Sequence, residues 1–170
     1  RRLDKSIGIM KAYSSCVGEG PFAAELAMTE DEKHLLREAG HEYGAATGRP
    51  RRVGPFDVVA SRYGVQCQGA DELALTLLDV LGYMEEIPVV EKYLVNGEET
   101  DEFPMGKALD DAKPVVKKMP GWHCDISGCR TWESLPEEAR RYVEYIENAV
   151  GAHIKYVSVG ADRDAYLVRE

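Results

Sequence analysis

"ELALTLLDVLG", Glu72 to Gly82, is nearly continuously apolar up to Asp79. An interior strand of a parallel sheet reads this way, because both of its faces are covered and no polar alternation is needed. Upstream, "SIGIMKAYSS" (Ser6 to Ser15) reads as a buried strand leading into the glycine loop "VGEGPF". "MTEDEKHLLREAG" reads as a helix, with Thr29 and Glu32 fitting a capping box and Gly40 fitting the stop. "FDVVASRYGVQCQG" reads as a second helix, with Val58, Val59, Tyr63 and Gln66 at helical spacing. Downstream, "PVVEKYLVNGEETDEFP" reads as a hairpin around Asn96-Gly97. "SLPEEARRYVEYIENAVG" is the clearest helix: Pro136 sits near its start, Gly151 follows its end, and Ala139, Tyr142, Val143, Ile146 and Val150 form one apolar stripe. That stripe is core and carries no chemistry. "HIKYVSVG" reads as a last strand running into the polar loop "ADRD". Strands and helices alternate, so the fold class is α/β: a largely parallel sheet flanked by helices, with a β-hairpin excursion.

The chain has 170 residues, 21 basic and 30 acidic, for a net charge of −9, with 44% hydrophobic and 30% charged residues. This is the composition of a globular domain with a real core, or of part of a larger one. A net negative charge argues against a general nucleic-acid or membrane-surface binder, because both partners are anionic. An anionic ligand must then be held by a local cluster. No apolar run approaches the roughly 20 residues that span a bilayer, and "RRLDKSIGIM" is too short in apolar residues for a signal peptide. It reads as a chain entered in the middle, without an initiator Met. The four cysteines, 16, 67, 124 and 129, are sparse and irregularly spaced, as reduced cytosolic thiols are. "HCDISGC" (His123 to Cys129) has one Cys-x4-Cys pair and no second pair nearby, which reads as ordinary loop thiols and not as a zinc site.

In a sheet of this class, ligands sit beyond the carboxyl ends of the strands, so the loops there carry the candidates. "GRPRRVGPFD" (Gly48 to Asp57) places three arginines around one proline. Pro50 pushes Arg49 into an extended conformation, which sends Arg49 and Arg51 to one side and Arg52 to the other. Gly48 admits a close backbone approach and Thr47 adds a hydroxyl. Two guanidiniums on one side clamp a carboxylate or phosphate; the alternative is that the arginines pair with acidic side chains on a solvated face. Asp79, at the end of an apolar strand, either caps the following turn or accepts two hydrogen bonds from a planar partner. Guanine offers such a pair, N1–H and the 2-amino group, and adenine does not. Ser158 and Gly160 in "SVGADR" close the last strand with small residues, while Asp162 and Arg163 could form a local ion pair. "VGEGPF" lacks a following Lys-Ser/Thr and is no phosphate-cradling loop. The histidines at 34, 41, 123 and 153 are scattered, and no nucleophile–base pair is evident. The sequence offers binding groups without a catalytic centre, and no metal ligands.

Taken in order, "KAYSSCVGEGPF", "GAATGRPRRVGPFD", "LALTLLDVL", "MPGW", "LPEEARRYVEYIE" and "SVGADR" resemble segments of adenylosuccinate synthetase, and the likeness covers essentially the whole chain. The resemblance implies a ligase of purine (AMP) biosynthesis: IMP, L-aspartate and GTP become adenylosuccinate, GDP and phosphate, with magnesium. GTP would phosphorylate the 6-oxygen of IMP, and the amino group of aspartate would displace the phosphate. Residues 1–170 would be the carboxyl-terminal portion of that domain, part of a larger single-domain fold. Ala45, Ala46, Thr47, Gly48, Arg49, Pro50 and Arg51 would form the aspartate loop, with Arg49 bridging aspartate and the IMP side and Arg51 reaching toward GTP. Asp79 would read guanine with Leu77 and Leu78 beside it, and Ser158, Val159 and Gly160 would line the base pocket. The parent enzyme would be a cytoplasmic homodimer.

Three positions depart from the family's usual pattern. Leu77 stands where a lysine is usual, Ala46 where a threonine is usual, and Cys16 where the glycine loop usually carries arginine. The family's phosphate loop, catalytic aspartate and histidine, most IMP contacts and the magnesium site belong to an amino-terminal part with no counterpart here. The chain is therefore expected to be inactive alone. The alternative is a non-catalytic nucleotide- or amino-acid-binding module descended from the enzyme.

Overall fold

The computed structural model describes residues 4–170. In chain order the strands are β1 (Ile7–Lys11), β2 (Ser14–Cys16), β3 (Arg52–Gly54), β4 (Phe56–Asp57), β5 (Glu72–Thr76), β6 (Glu86–Val95), β7 (Glu98–Thr100), β8 (Lys113–Pro120), β9 (His153–Ser158) and β10 (Tyr166–Val168). The helices are α1 (Glu30–Ala39), α2 (Val58–Gln68), α3 (Lys107–Asp110) and α4 (Glu137–Val150). Short 3-10 turns cover Ala23–Ala27, Asp79–Tyr83 and Trp132–Ser134.

Local chemistry explains the helix ends. The amide of Glu32 donates to Thr29 Oγ1 (3.3 Å) while Glu32 Oε2 accepts from the Thr29 amide (2.7 Å), so α1 opens on the expected capping box. Asp57 accepts from the Ala60 amide at the start of α2. Gly69 and Gly151 end α2 and α4 in the left-handed conformation that a glycine adopts without strain. The α4 stripe is buried at Ala139, Tyr142, Val143, Ile146 and Val150, as its spacing predicts.

The parallel layer runs in the order β1-β5-β9-β10, with β5 parallel to both β1 and β9 and β10 antiparallel to β9. One face, built from Leu73, Leu75, Ile154, Val157 and Leu167, is buried in the main core together with α4. The other face carries Ile7, Ile9, Tyr166 and Val168, all exposed, with Ile9 at 76%. β1 is therefore not the buried strand expected from "SIGIMKAYSS": it lies at the sheet edge with its two isoleucines uncovered. A second layer is built on β6, which β8 pairs along one edge while β4 and β7 share the other. Asn96 and Gly97, both at positive φ, make the expected hairpin turn between β6 and β7.

Three expectations shift. The stretch from Glu72 to Gly82 is a strand only to Thr76; Leu77 turns to φ 61° and a 3-10 turn begins at Asp79. β9 is not the last strand, because β10 returns beside it after "ADRD". β8 was not foreseen: "KPVVKKMP" has prolines at both ends and lysines in the middle, the composition of an edge strand.

The junction between β8 and the loop before β6 depends on Gly121. Its amide donates to Glu85 O (2.7 Å), and a Cβ there would lie 2.0 Å from Met84 O. Gly121→Ala is expected to destabilise the fold by about 3 kcal/mol, the upper end of ordinary overpacking. Gly128→Ala, in open space, should be near neutral. Urea midpoints of the two variants check this.

Candidate functional site

The carboxyl ends of β1, β5 and β9 lie side by side, because the three strands run parallel. Beyond β1, the Ala12 amide donates to Thr76 O (2.8 Å). Beyond β5, the Leu78 amide donates to Ser158 O (3.2 Å). The structure thus brings Leu77, Leu78 and Asp79 against Ser158, Val159 and Gly160, segments far apart in sequence. Leu78 and Val159 are fully buried and pack in the main core. Leu77 holds a positive φ, which costs a non-glycine residue on the order of 1 kcal/mol or more. Ser158 Oγ donates to Gly160 O (3.1 Å).

Asp79 sits at the start of its 3-10 turn with Oδ1 buried and without a hydrogen-bond partner. No side-chain hydrogen bond caps that turn. Burial pushes its carboxyl above the ordinary 3.8, and the nearby charge of Asp125 adds to the rise, against a hydrogen bond from its own amide. The "HCDISGC" loop therefore walls this site. A Cβ on Gly82 would meet Cys124 O at 2.7 Å, and one on Gly160 would lie 3.9 Å from Ser127 Cβ. Nothing in the loop's spacing announced that contact. Among the described residues, no three His, Cys, Asp or Glu side chains gather where they could hold a metal ion.

The three arginines have three different surroundings. The tip Gly44–Arg49 closes on itself: the Gly48 amide donates to Gly44 O (2.8 Å), the Gly44 amide to Arg49 O (2.9 Å) and the Arg49 amide to Thr47 Oγ1 (3.3 Å). Past the tip, Pro50 bridges Tyr43 and β3 begins at Arg52, so the chain is extended on the carboxyl side of the tip. Ala45, Ala46, Thr47, Gly48 and Arg49 are exposed, and the Arg49 guanidinium makes no hydrogen bond or ion pair with the described residues. Arg51 is half-buried and donates from Nη1 to Glu42 Oε2 (2.9 Å). Arg52 donates to Glu25 (2.8 Å) and to Gly20 O (2.8 Å) and packs over Phe22, clipping the glycine loop in place. Pairing with acidic side chains thus describes Arg51 and Arg52 and not Arg49.

Glu42 is the residue that sequence reasoning missed. It is 1% exposed and accepts from Lys11 Nζ (2.6 Å), Tyr13 Oη (2.6 Å) and Arg51 Nη1 (2.9 Å). Burial would raise its carboxyl, but these three donors outweigh burial and hold it below the ordinary 4.5. Burial, the Glu42 contact and then the charge of Asp79 push the Tyr13 hydroxyl far above its usual range. Through Glu42, Tyr13 is joined to the arginine loop. An adjoining opening of about 470 Å³ is lined by Lys11, Tyr13, Ser14, Ser15, Asp57 and Ser61. Its charged groups are already partnered, Lys11 by Glu42 and Asp57 by Tyr93 Oη (2.6 Å).

Fold and site together define an α/β protein with an unpartnered carboxylate, Asp79, just past the carboxyl end of a parallel strand. The chain belongs to the adenylosuccinate synthetase family, whose model matches residues 1–167. It is 44% identical over 169 residues to the adenylosuccinate synthetase of Mycolicibacterium vanbaalenii, covering 99% of this chain and 39% of the relative. The Geobacter sulfurreducens enzyme is 45% identical with the same coverage. A structure of fully ligated adenylosuccinate synthetase from Plasmodium falciparum superposes with a TM-score of 0.91 at 36% identity, over 99% of this chain and 40% of that one. The chain thus spans about two fifths of the length of these relatives.

The raised carboxyl of Asp79 has a consequence for stability. A carboxyl whose folded pKa lies above its unfolded value costs stability at neutral pH, and the cost disappears as pH falls through the folded and then the unfolded pKa. Asp79→Asn should therefore raise the urea midpoint of the ligand-free chain at pH 7. The gain should shrink to nothing below about pH 3.5, under the unfolded value.

Proposed function

We propose that this chain supplies the aspartate and guanine-base contacts of an adenylosuccinate synthetase, as the carboxyl-terminal part of a longer ligase. The observation that carries the reading is the buried, unpartnered Asp79 Oδ1 at the carboxyl end of β5, beside the peptide groups of Ser158–Gly160. A carboxylate short of donors suits guanine, whose N1–H and 2-amino group are two parallel donors. Arg49, exposed and unpaired among the described residues, is placed to take a carboxylate of L-aspartate with Thr47 and the Gly48 backbone beside it. Arg51 faces the nucleotide side. The uncovered face of the sheet, with Ile7, Ile9, Tyr166 and Val168, is the surface that the rest of a larger fold would bury.

In this reading GTP phosphorylates the 6-oxygen of IMP and the amino group of aspartate displaces the phosphate. Phosphoryl transfer and the magnesium ion would belong to the remainder of the longer enzyme; among the described residues no three His, Cys, Asp or Glu side chains gather where they could hold a metal ion. The enzyme would work in AMP biosynthesis in the cytoplasm, as a homodimer. No helix among the described residues is long and apolar enough to cross a membrane.

Three measurements test this. The 170-residue chain alone, mixed with IMP, aspartate, GTP and magnesium, should form no adenylosuccinate; turnover from homogeneous protein would sink the partial-enzyme reading. In the full-length enzyme, Arg49→Ala should lower kcat/KM for aspartate by about ten- to a hundredfold, the worth of one charge-assisted contact. Arg49→Lys should restore only part of that, because an ammonium lacks the planar fork. Asp79→Asn should shift use from GTP toward XTP, whose 2-carbonyl suits an amide donor. An unchanged ratio of kcat/KM for GTP and XTP returns Asp79 to a purely structural role.

A further inference from the structure

We infer that Glu42 is a positioning residue: it holds Lys11 and Arg51 as a fixed pair of cations at the edge of the site, an inference that rests on the function proposed above. The geometry is asymmetric. Glu42 has a side chain 1% exposed, whereas Lys11 and Arg51, at 31% and 33%, reach the surface. The carboxylate is the buried anchor, and the two cations are its outward-facing ends.

The chain is arranged to keep that anchor in place. The Glu42 amide donates to Arg37 O (2.9 Å) at the end of α1, and Glu42 O accepts from the Arg51 amide (2.9 Å). Backbone and side chain of Arg51 are thus tied to the same residue. Lys11, the last residue of β1, is also tied to Ser15 Oγ (2.9 Å). Glu42 therefore joins the carboxyl end of a sheet strand to the arginine loop, and fixes the distance between two positive charges from different elements.

One carboxylate shared by two cations leaves the cluster with a net positive charge. The guanidinium is incompletely used. Nη1 is spent on Glu42, Nε is buried without a partner, and Nη2 makes no hydrogen bond with the described residues. A buried carboxylate serving only stability is often matched by an apolar isostere. One that leaves an arginine aimed but unsatisfied has a use when an anion arrives, because a cation already held in its bound rotamer loses less entropy on binding. The ligand chemistry is an anionic oxygen, a carboxylate or phosphate, reaching Arg51 from the solvent side.

The test is a double-mutant cycle in the full-length synthetase, with steady-state kinetics for aspartate and GTP. Glu42→Gln keeps shape but puts an amide against two cations, and should lower kcat/KM by about ten- to a hundredfold, as Arg51→Met should. Because Glu42 acts in part through Arg51, the double variant should lose clearly less than the product of the two single losses, with the remainder carried by Lys11. Glu42→Asp keeps the charge needed for folding but withdraws the carboxylate by about 1.5 Å, one C–C bond. It should raise KM while lowering the melting temperature less than Glu42→Gln does, so the cycle can be repeated if Glu42→Gln does not fold. Losses that multiply in full in the double variant overturn the positioning role. So does normal kinetics in Glu42→Gln beside an impaired Arg51→Met, and both results leave the site reading intact. Normal kinetics in Arg51→Met overturns the assignment of Arg51 itself, and the positioning role with it.

Discussion

Parallel pairing of β5 with β1 on one side and β9 on the other is the constraint from which the site follows. Parallel strands end at the same edge, so three connections leave the sheet together, and their polar groups share one space. The hydrogen bond from Leu78 N to Ser158 O carries the pairing one step past the strands. Leu77 then departs from extended geometry, which turns Asp79 out of the sheet and into the space between the loops. An antiparallel arrangement would have sent these segments to opposite ends.

The arginine loop is not part of that sheet and needs its own attachment. Glu42 provides it, through contacts with Lys11 and Tyr13 from the β1 side and with Arg51 from the loop side. A carboxylate buried this deeply is costly unless every lone pair is used, and here three charged or polar donors use it. The same low-dielectric surroundings act oppositely on Asp79, which has an oxygen without a donor and a raised carboxyl. Two acidic side chains, Glu42 fully buried and Asp79 half-buried, thus take opposite parts. One is satisfied within the chain and ties the arginine loop to β1; the other keeps a buried oxygen without a partner.

The elements with short-range signals were legible in the sequence. The capping box at Thr29 and Glu32, the Asn96-Gly97 turn and the α4 stripe all appear where their spacing places them. Each depends on neighbours a few residues away. The candidate loops were also legible as loops, since glycine, proline and clustered charge mark them. What was not legible was the partner of each charged group. Arg49, Arg51 and Arg52 look alike in sequence, yet the first is exposed, the second is tied to a buried glutamate and the third clips the glycine loop. The uncovered face of β1 was misjudged for a related reason: an apolar strand reads as buried whether or not anything in the same chain covers it.

The sequence by itself determined the helices, the tight turn, the alternation of strands and helices, and the residue types available for binding, because those properties depend on local conformational preference and period. Tertiary structure alone decided which acidic residue holds the arginine loop, which carboxylate oxygen stays unpartnered and which loop walls the Asp79 site. Burial and hydrogen-bond partners are set by segments tens of residues apart, and one glutamate among 30 acidic residues carries no local mark that distinguishes it before the chain has folded.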